Sequence, residues 1–393
     1  MKKHIKQIFI LQIIIIIMLI QCGCWNMREL DSLSIVMGFG IDKAEVSDEI
    51  ELTAQIVKTG GKNQSSANEK GSDDSSFINL RSTGNDIFTI IREYTHKISR
   101  RLYIGDSQII VFGESSAKEG IRNKLDFFMR DHEGRLIVYV IVAKGKAYDV
   151  LKEEPEFGNI PAIDIANLIE NQFATSEAVK VTLFDLIPNL VNNTKSMVLP
   201  CVSVLSEGEG KKIALTSSAV FKDDKLVGEL DKKETRGYLW VMNDVKSGVI
   251  NVNVLGENTS IEIKKAKSEV VPQINKDGSI KIKVKITEEG ILNSQVGNAS
   301  LDKVFNNKKL ENATAYVIKK EIQKTLDKAR EMGTDIYGFG EDINRKYPKE
   351  WKTIKANWDK LFKEIDINIE VISKLRGEGR IVNPIYPEKE ESK

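Results

Sequence analysis

The eight residues from Leu136 to Ala143, LIVYVIVA, decide how this chain folds. An apolar run of strand length without polar alternation reads as a strand covered on both faces, central in its sheet. Upstream, Gln108 to Phe112 reads as a second short strand, and Ser115 to Arg130 as a helix with Ile121, Leu125, Phe128 and Met129 inward. Further upstream, Gly84-Asn85-Asp86 opens another helix, whose Ile87, Ile90, Ile91, Tyr94 and Ile98 recur at helical spacing. Phe77 to Ser82, Ile50 to Lys58 and Leu33 to Ile41 read as strands, the last two as a pair. Strands and helices interleaved in this way, from about residue 28 to 150, define an α+β layer domain. Between Thr59 and Ser76, TGGKNQSSANEKGSDDSS is too polar to offset its ordering entropy and reads as a surface loop.

Downstream, Pro155, Gly158 and Pro161 punctuate a linker, so a subdomain break is expected near 150–160. Two helices, Ile163 to Phe173 and Thr182 to Val191, and a strand from Met197 to Leu205 follow. Residues 206–212, rich in Gly, Glu and Lys, read as a turn or boundary. Beyond them come a hairpin through Asp223-Asp224 and a short helix, Thr235 to Met242, containing Trp240. Strands follow at Val249 to Leu255, Ser260 to Lys264, Glu269 to Ile274 and Ile280 to Thr287, with Asp277-Gly278 as a hairpin turn. A long helix from about Asn312 to Glu331 places Ala315, Val317, Ile318, Ile322, Leu326 and Ala329 inward and its Lys and Glu residues outward. The strand Ile365 to Ser373 closes the pattern. The expected whole is a multi-domain α+β protein with mixed and antiparallel sheets and packed helices: residues 24–205, then 213–385.

The chain opens with MKKHIKQIFILQIIIIIMLIQCGCWNMRELD, residues 1–31. A basic head of Lys2, Lys3 and Lys6, an aliphatic run from Ile8 to Ile20 and small residues at Gly23-Cys24 have the layout of an export signal covering residues 1–23. The run is too short to span a bilayer comfortably, which takes roughly 20 residues. A cysteine after a small residue at the end of such a signal is where a diacylglyceryl group is attached, and Cys24 is the candidate. Cys22 competes, with Leu19 in the favourable place but bulky Gln21 before it. The alternative is an ordinary cleaved signal with two idle cysteines. Two acyl chains, at about 0.8 kcal/mol per buried CH₂, anchor stably where one is marginal.

Cys24-Trp25-Asn26-Met27-Arg28-Glu29-Leu30-Asp31, followed by Ile35-Val36-Met37-Gly38-Phe39-Gly40-Ile41-Asp42, resembles the start of the Ger(x)C family. Asn26 and Met27 stand where the family has Asp and a basic residue. Thr334-Asp335-Ile336-Tyr337-Gly338-Phe339-Gly340-Glu341, Arg345-Lys346-Tyr347-Pro348-Lys349-Glu350-Trp351, Asn357-Trp358 and Arg380-Ile381-Val382-Asn383-Pro384 resemble its C-terminal signature. The resemblance spans nearly the whole mature chain. It implies a palmitate-type lipoprotein subunit of a spore nutrient germinant receptor, on the outer face of the spore inner membrane. Its partners would be a polytopic A subunit and a permease-like B subunit, and nutrients would trigger exit from dormancy. Whether this subunit touches the small-molecule germinant stays open.

Within the C-terminal signature, Gly338 and Gly340 are expected to supply positive φ at a helix end. Trp351 and Trp358, seven apart, are expected on one face of a short helix. Packing is the first role assigned to these residues; exposed parts of Tyr337, Phe339, Trp351 and Trp358 would form a partner contact.

Lys+Arg 58 against Asp+Glu 57 creates no field for nucleic acid, and no helix carries a basic stripe. With 41% apolar and 29% charged residues the body reads as globular. Once Cys22 is removed and Cys24 acylated, only Cys201 remains, a buried strand residue, so no disulfide framework is expected. His96 reads as a core or boundary residue. Neither it nor His132 lies in a metal-ligand motif. Gly-Glu-Gly-Lys-Lys at 208–212 lacks phosphate-loop spacing, Gly105-Asp106-Ser107-Gln108-Ile109 lacks the second Gly of a nucleophile elbow, and Gly38-Phe39-Gly40 and Gly338-Phe339-Gly340 lack the third Gly of a dinucleotide fingerprint. The chain is therefore expected to be non-catalytic, without metal or cofactor beyond a covalent diacylglycerol and N-acyl anchor. A substrate-binding lipoprotein feeding a transporter, with a cleft between domains, is the alternative, and a purely structural envelope lipoprotein a third reading.

Overall fold

The computed structural model describes residues 4–12, 29, 32–58, 75–155, 157–192, 195–208, 210–296 and 304–378. Cys22, Cys24, most of the polar 59–76 segment and the 380–384 motif lie outside these. Among the described residues no helix is long and apolar enough to cross a membrane.

Among the described residues the first sheet has nine strands: β1 Leu33–Lys43, β2 Ile50–Val57, β3 Phe77–Gly84, β4 Arg101–Tyr103, β5 Ile109–Gly113, β6 Tyr139–Ala143, β7 Val198–Glu207, β8 Gly210–Lys222 and β9 Lys225–Leu230. Their order is β3-β2-β1-β5-β6-β7-β8-β9, with β4 against the start of β1. The central strands β1, β5, β6 and β7 run parallel. Alternate residues of β5 and β6 feed opposite cores: Ile110, Phe112, Val140 and Val142 one, Ile109, Val111, Ile141 and Ala143 the other. That is why the run Leu136 to Ala143 has no polar face. After a helix at residues 4–12 (α1), α2 Ile87–Tyr94, α3 Glu114–Glu119, α4 Arg122–Arg130 and α7 Leu183–Asn192 cover the first face; α5 Ala147–Lys152 and α6 Pro161–Glu170 cover the second.

A second, four-stranded sheet follows α8 Lys232–Val241. It comprises β10 Val249–Val254, β11 Glu257–Ile274, β12 Ile280–Val296 and β13 Asp366–Glu378, in that order. β10 to β12 form an antiparallel meander, and β13 joins β12 in parallel after the helices α9 Val304–Met332, α10 Phe339–Lys346, α11 Pro348–Ile354 and α12 Trp358–Glu364. The protein is α+β with mixed sheets, as expected.

Several expectations are corrected. The helix Ser115 to Arg130 is two helices, broken at Gly120, whose φ of +131° suits glycine alone. There the Ile121 and Arg122 N–H groups turn away to Asp224, on its carbonyl (3.0 Å) and carboxylate (3.2 Å). The strand at Leu136 starts only at Tyr139, because the Leu136 and Val138 carbonyls accept from Phe184 and Leu183 of α7. Ser260 to Lys264 and Glu269 to Ile274 fuse into β11, because Lys265 to Ser268 between them pair with Glu289 to Ile286 of β12; the register shifts at Ser260/Ile261, where β12 carries the extra residue, and at Ile263/Lys265, where β11 does. The break near 150–160 is no layer boundary, since α5 and α6 pack on the same sheet face. The turn at 206–212 does not divide the sheets either. β7 and β8 pair across it from Val198↔Val220 to Glu207↔Gly210, so β8 and β9 complete the first sheet. A single core joins Val198, Val220 and Leu230 of that sheet to Trp240, Ile282, Ile322 and Phe362 beyond it.

Candidate functional site

The C-terminal signature folds around one carboxylate. Gly333, with φ +64°, ends α9, and the chain reverses to bury Asp335. Its Oδ1 accepts from the Gly338 N–H (2.9 Å) and the Phe339 N–H (3.1 Å). Its Oδ2 accepts from the Gly340 N–H (2.8 Å) and the Trp358 indole N–H (3.0 Å). Burial pushes the carboxyl up, while the donors from Gly340, Phe339, Trp358 and Gly338 pull it down. Asp335 thus satisfies the orphan N–H groups at the start of α10 and pins α12 to that start.

Gly338 has φ +78° but stands at the N-cap of α10, opening a helix rather than closing one. Gly340 lies inside α10, and what it requires is space: a Cβ there would fall 2.7 Å from Trp351 Cη2 and 2.8 Å from Trp358 Nε1. The two tryptophans stand on α11 and α12, separated by the 3₁₀ turn Lys355–Asn357, and meet edge to face at 5.4 Å. They do not share one helix. Tyr238, Tyr337 and Phe339 stack at 5.9 and 5.1 Å, and Phe362 joins Phe339 to Trp358. Tyr337, Phe339, Trp351 and Trp358 are each at most 6% exposed. Buried within this chain, they leave little ring surface exposed: the rings pack on one another and the Trp358 indole N–H points inward.

A second polar knot couples α8 to α9. Arg236 grips Glu321 with two guanidinium nitrogens, Nε at 3.0 Å, and its Nη1 donates to the Val249 carbonyl at 3.0 Å. Trp240 Nε1 donates to the same Glu321 at 3.1 Å, and Glu177 approaches Arg236 at 3.8 Å from the first-sheet region. Gly237 lets the helices close, since a Cβ there would lie 2.4 Å from the Glu321 carbonyl oxygen. Glu321 therefore departs from the expected wet face of α9. Its spacing held the signal: with Ile318, Thr325 and Ala329 it falls on the buried stripe. Asp231-x-x-Glu234 makes a reciprocal capping box at the start of α8, legible in sequence but not singled out.

The two halves are stitched beside the Asp335 turn and again beside the Arg236 knot. The Ser196 N–H donates to the Asp335 carbonyl (3.1 Å), Lys222 Nζ to the Gly333 carbonyl (3.2 Å), and Ser176 Oγ to the Ser247 carbonyl (2.7 Å). Cys201 is buried in β7, as expected, and burial pushes its thiol up to about 12, far from nucleophilic use. His96 is exposed, not a core or boundary residue. Among the described residues no three His, Cys, Asp or Glu side chains are grouped to hold a metal. A groove of about 620 Å³ lies between α6 and the β7–β8 hairpin, with Pro155, Phe157, Leu168 and Ile213 along it and Lys211 and Glu170 at its rim.

Two family models match in order: the spore germination protein N-terminal domain over residues 26–204, and the spore germination B3/GerAC-like C-terminal domain over 216–379. The chain belongs to the Ger(x)C family of spore germination proteins. It is 28% identical to spore germination protein KC of Bacillus subtilis (strain 168), covering 92% of this chain and 94% of that one. It is 29% identical to spore germination protein YndF of the same organism (94% and 97%) and 26% to its spore germination protein B3 (92% and 95%). The crystal structure of the GerBC protein shares the fold, with a TM-score of 0.57 at 22% identity over 90% of this chain and all of that one. The family models meet between 204 and 216, whereas the first sheet continues to Leu230.

Proposed function

We propose that this chain is the C subunit of a nutrient germinant receptor. It is a non-catalytic lipoprotein acylated at Cys24 and held at the outer face of the spore inner membrane, beside a polytopic A subunit and a permease-like B subunit. The observation that carries this reading is the ordered match of both germination-protein models across residues 26–379. Relatives named as spore germination proteins, aligned over more than nine-tenths of their length, support it. Acylation confines the subunit to a thin layer beside its partners, which raises the effective concentration for docking without any added contact. The signature residues Asp335, Gly340 and Trp358 contribute rigidity to the body that docks.

Membrane fractionation and copurification test the proposal. The tagged native chain is expected in the membrane fraction with the A and B subunits. The Cys24→Ala chain is expected folded but in the soluble fraction. Membrane retention of Cys24→Ala at the native level contradicts the acyl tether; a native chain recovered from membranes without either subunit contradicts the receptor assignment.

A further inference from the structure

Because β1, β5, β6 and β7 are parallel, all four begin at one end of the first sheet, the end where the chain enters at Leu33. Three large apolar side chains stand exposed there: Ile137 (69%), Phe173 (63%) and Phe184 (63%). Local bonds hold them around the start of β6. The Phe184 N–H donates to the Leu136 carbonyl at 2.8 Å, and Thr182 bridges Tyr139. On the other face the Tyr139 hydroxyl donates to Glu170, at the end of α6, and Phe173 follows in the next turn, Asn171–Ala174. The neighbouring cations are paired, Lys180 with Glu170 at 2.6 Å and Arg135 with Asp106 at 3.3 Å. Paired charges therefore border these apolar side chains. Singly scattered apolar residues need no explanation, but an exposed apolar cluster with a polar rim marks a contact surface.

The length of chain before the sheet names the occupant. Nine residues lead from Cys24 to Leu33 and span at most about 30 Å. Strands about 4.8 Å apart put β6, two places from β1, roughly 10 Å to the side. We propose that this end of the sheet lies against the bilayer, with Ile137, Phe173 and Phe184 in the lipid headgroup layer. The inference rests on the acylation proposed for Cys24.

The test uses the acylated mature chain on vesicles of phosphatidylethanolamine and phosphatidylglycerol, with an environment-sensitive fluorophore on Ile137→Cys or Phe184→Cys. Phe88→Cys is the control. It stands exposed in the first turn of α2, after β3 ends beside the finish of β1. Cys201 is buried and takes no label under native conditions. Vesicle flotation reads the tether, and quenching by lipids brominated near the headgroup reads the contact. Emission from positions 137 and 184 is expected to shift to the blue and be lost to brominated lipid, with position 88 unchanged. A chain that floats while its 137 and 184 probes behave like the control overturns the contact and leaves the tether standing. Probes shielded from aqueous iodide yet untouched by brominated lipid assign the face to a protein partner and also overturn it. A chain that does not float removes the tether, and this proposal with it.

Discussion

Asp335 shows what a motif residue does when its role is structural. Its carboxylate takes four donors, three from a helix start and one from an indole 23 residues along the chain. Asp335→Ala leaves those buried donors unpaired and is expected to cost roughly 3–5 kcal/mol, read by chemical denaturation. A second residue sets a pH dependence. Glu288 on β12 is fully buried, accepts from Ser373 Oγ at 2.6 Å, and leaves Oε1 without a partner among the described residues. Burial pushes its carboxyl from the ordinary 4.5 up to about 7. A carboxyl raised by folding binds its proton more tightly in the native state. Its stabilising contribution is therefore complete below about pH 4.5 and lost as pH rises through 7. Glu288→Gln is expected to flatten this loss, narrowing the pH 5 to pH 8 difference in stability by about 3 kcal/mol at most, read from melting curves at the two pH values. The signature residues were recognisable in sequence, but not their direction. Aromatics seven apart suit a shared helical face, and only the 3₁₀ turn between α11 and α12 turns Trp351 and Trp358 onto each other.

Among elements, α9 carries the most information. Its apolar periodicity was legible over most of its length, and a glutamate on that stripe is decided only by what faces it. Arg236 and Trp240 of α8 supply the partners. Removing one member of a buried ion pair strands the other, so Glu321→Ala is expected to cost about 3–5 kcal/mol, measured by urea denaturation. Hairpins were read well where turn chemistry is local, as at Asp223-Asp224 and Asp277-Gly278. Elements were misread where a distant partner decides. Asp224, about a hundred residues away, stops α3 at Gly120, and pairing with β12 carries β11 through the polar stretch Lys265 to Ser268.

At the scale of the molecule, composition places a boundary near residue 210, and the sheet crosses it. A fragment ending at 205 loses β8 and β9 and exposes the edge of β7; one ending at 230 keeps all nine strands. The longer fragment is expected to resist proteolysis and stay soluble where the shorter aggregates, as limited digestion and sedimentation would read. Equal behaviour would mean that β8 and β9 belong energetically to the second half. Among the described residues two sheets share a core, and a short lead joins them to the proposed tether. The measurement that bears most directly on its receptor role is dipicolinate release from spores lacking this chain, triggered in parallel by a nutrient panel and by a non-nutrient agent. The receptor assignment predicts loss of response to particular nutrients with the other trigger intact. Unchanged release to every nutrient, in spores also stripped of any receptor that duplicates it, would contradict it.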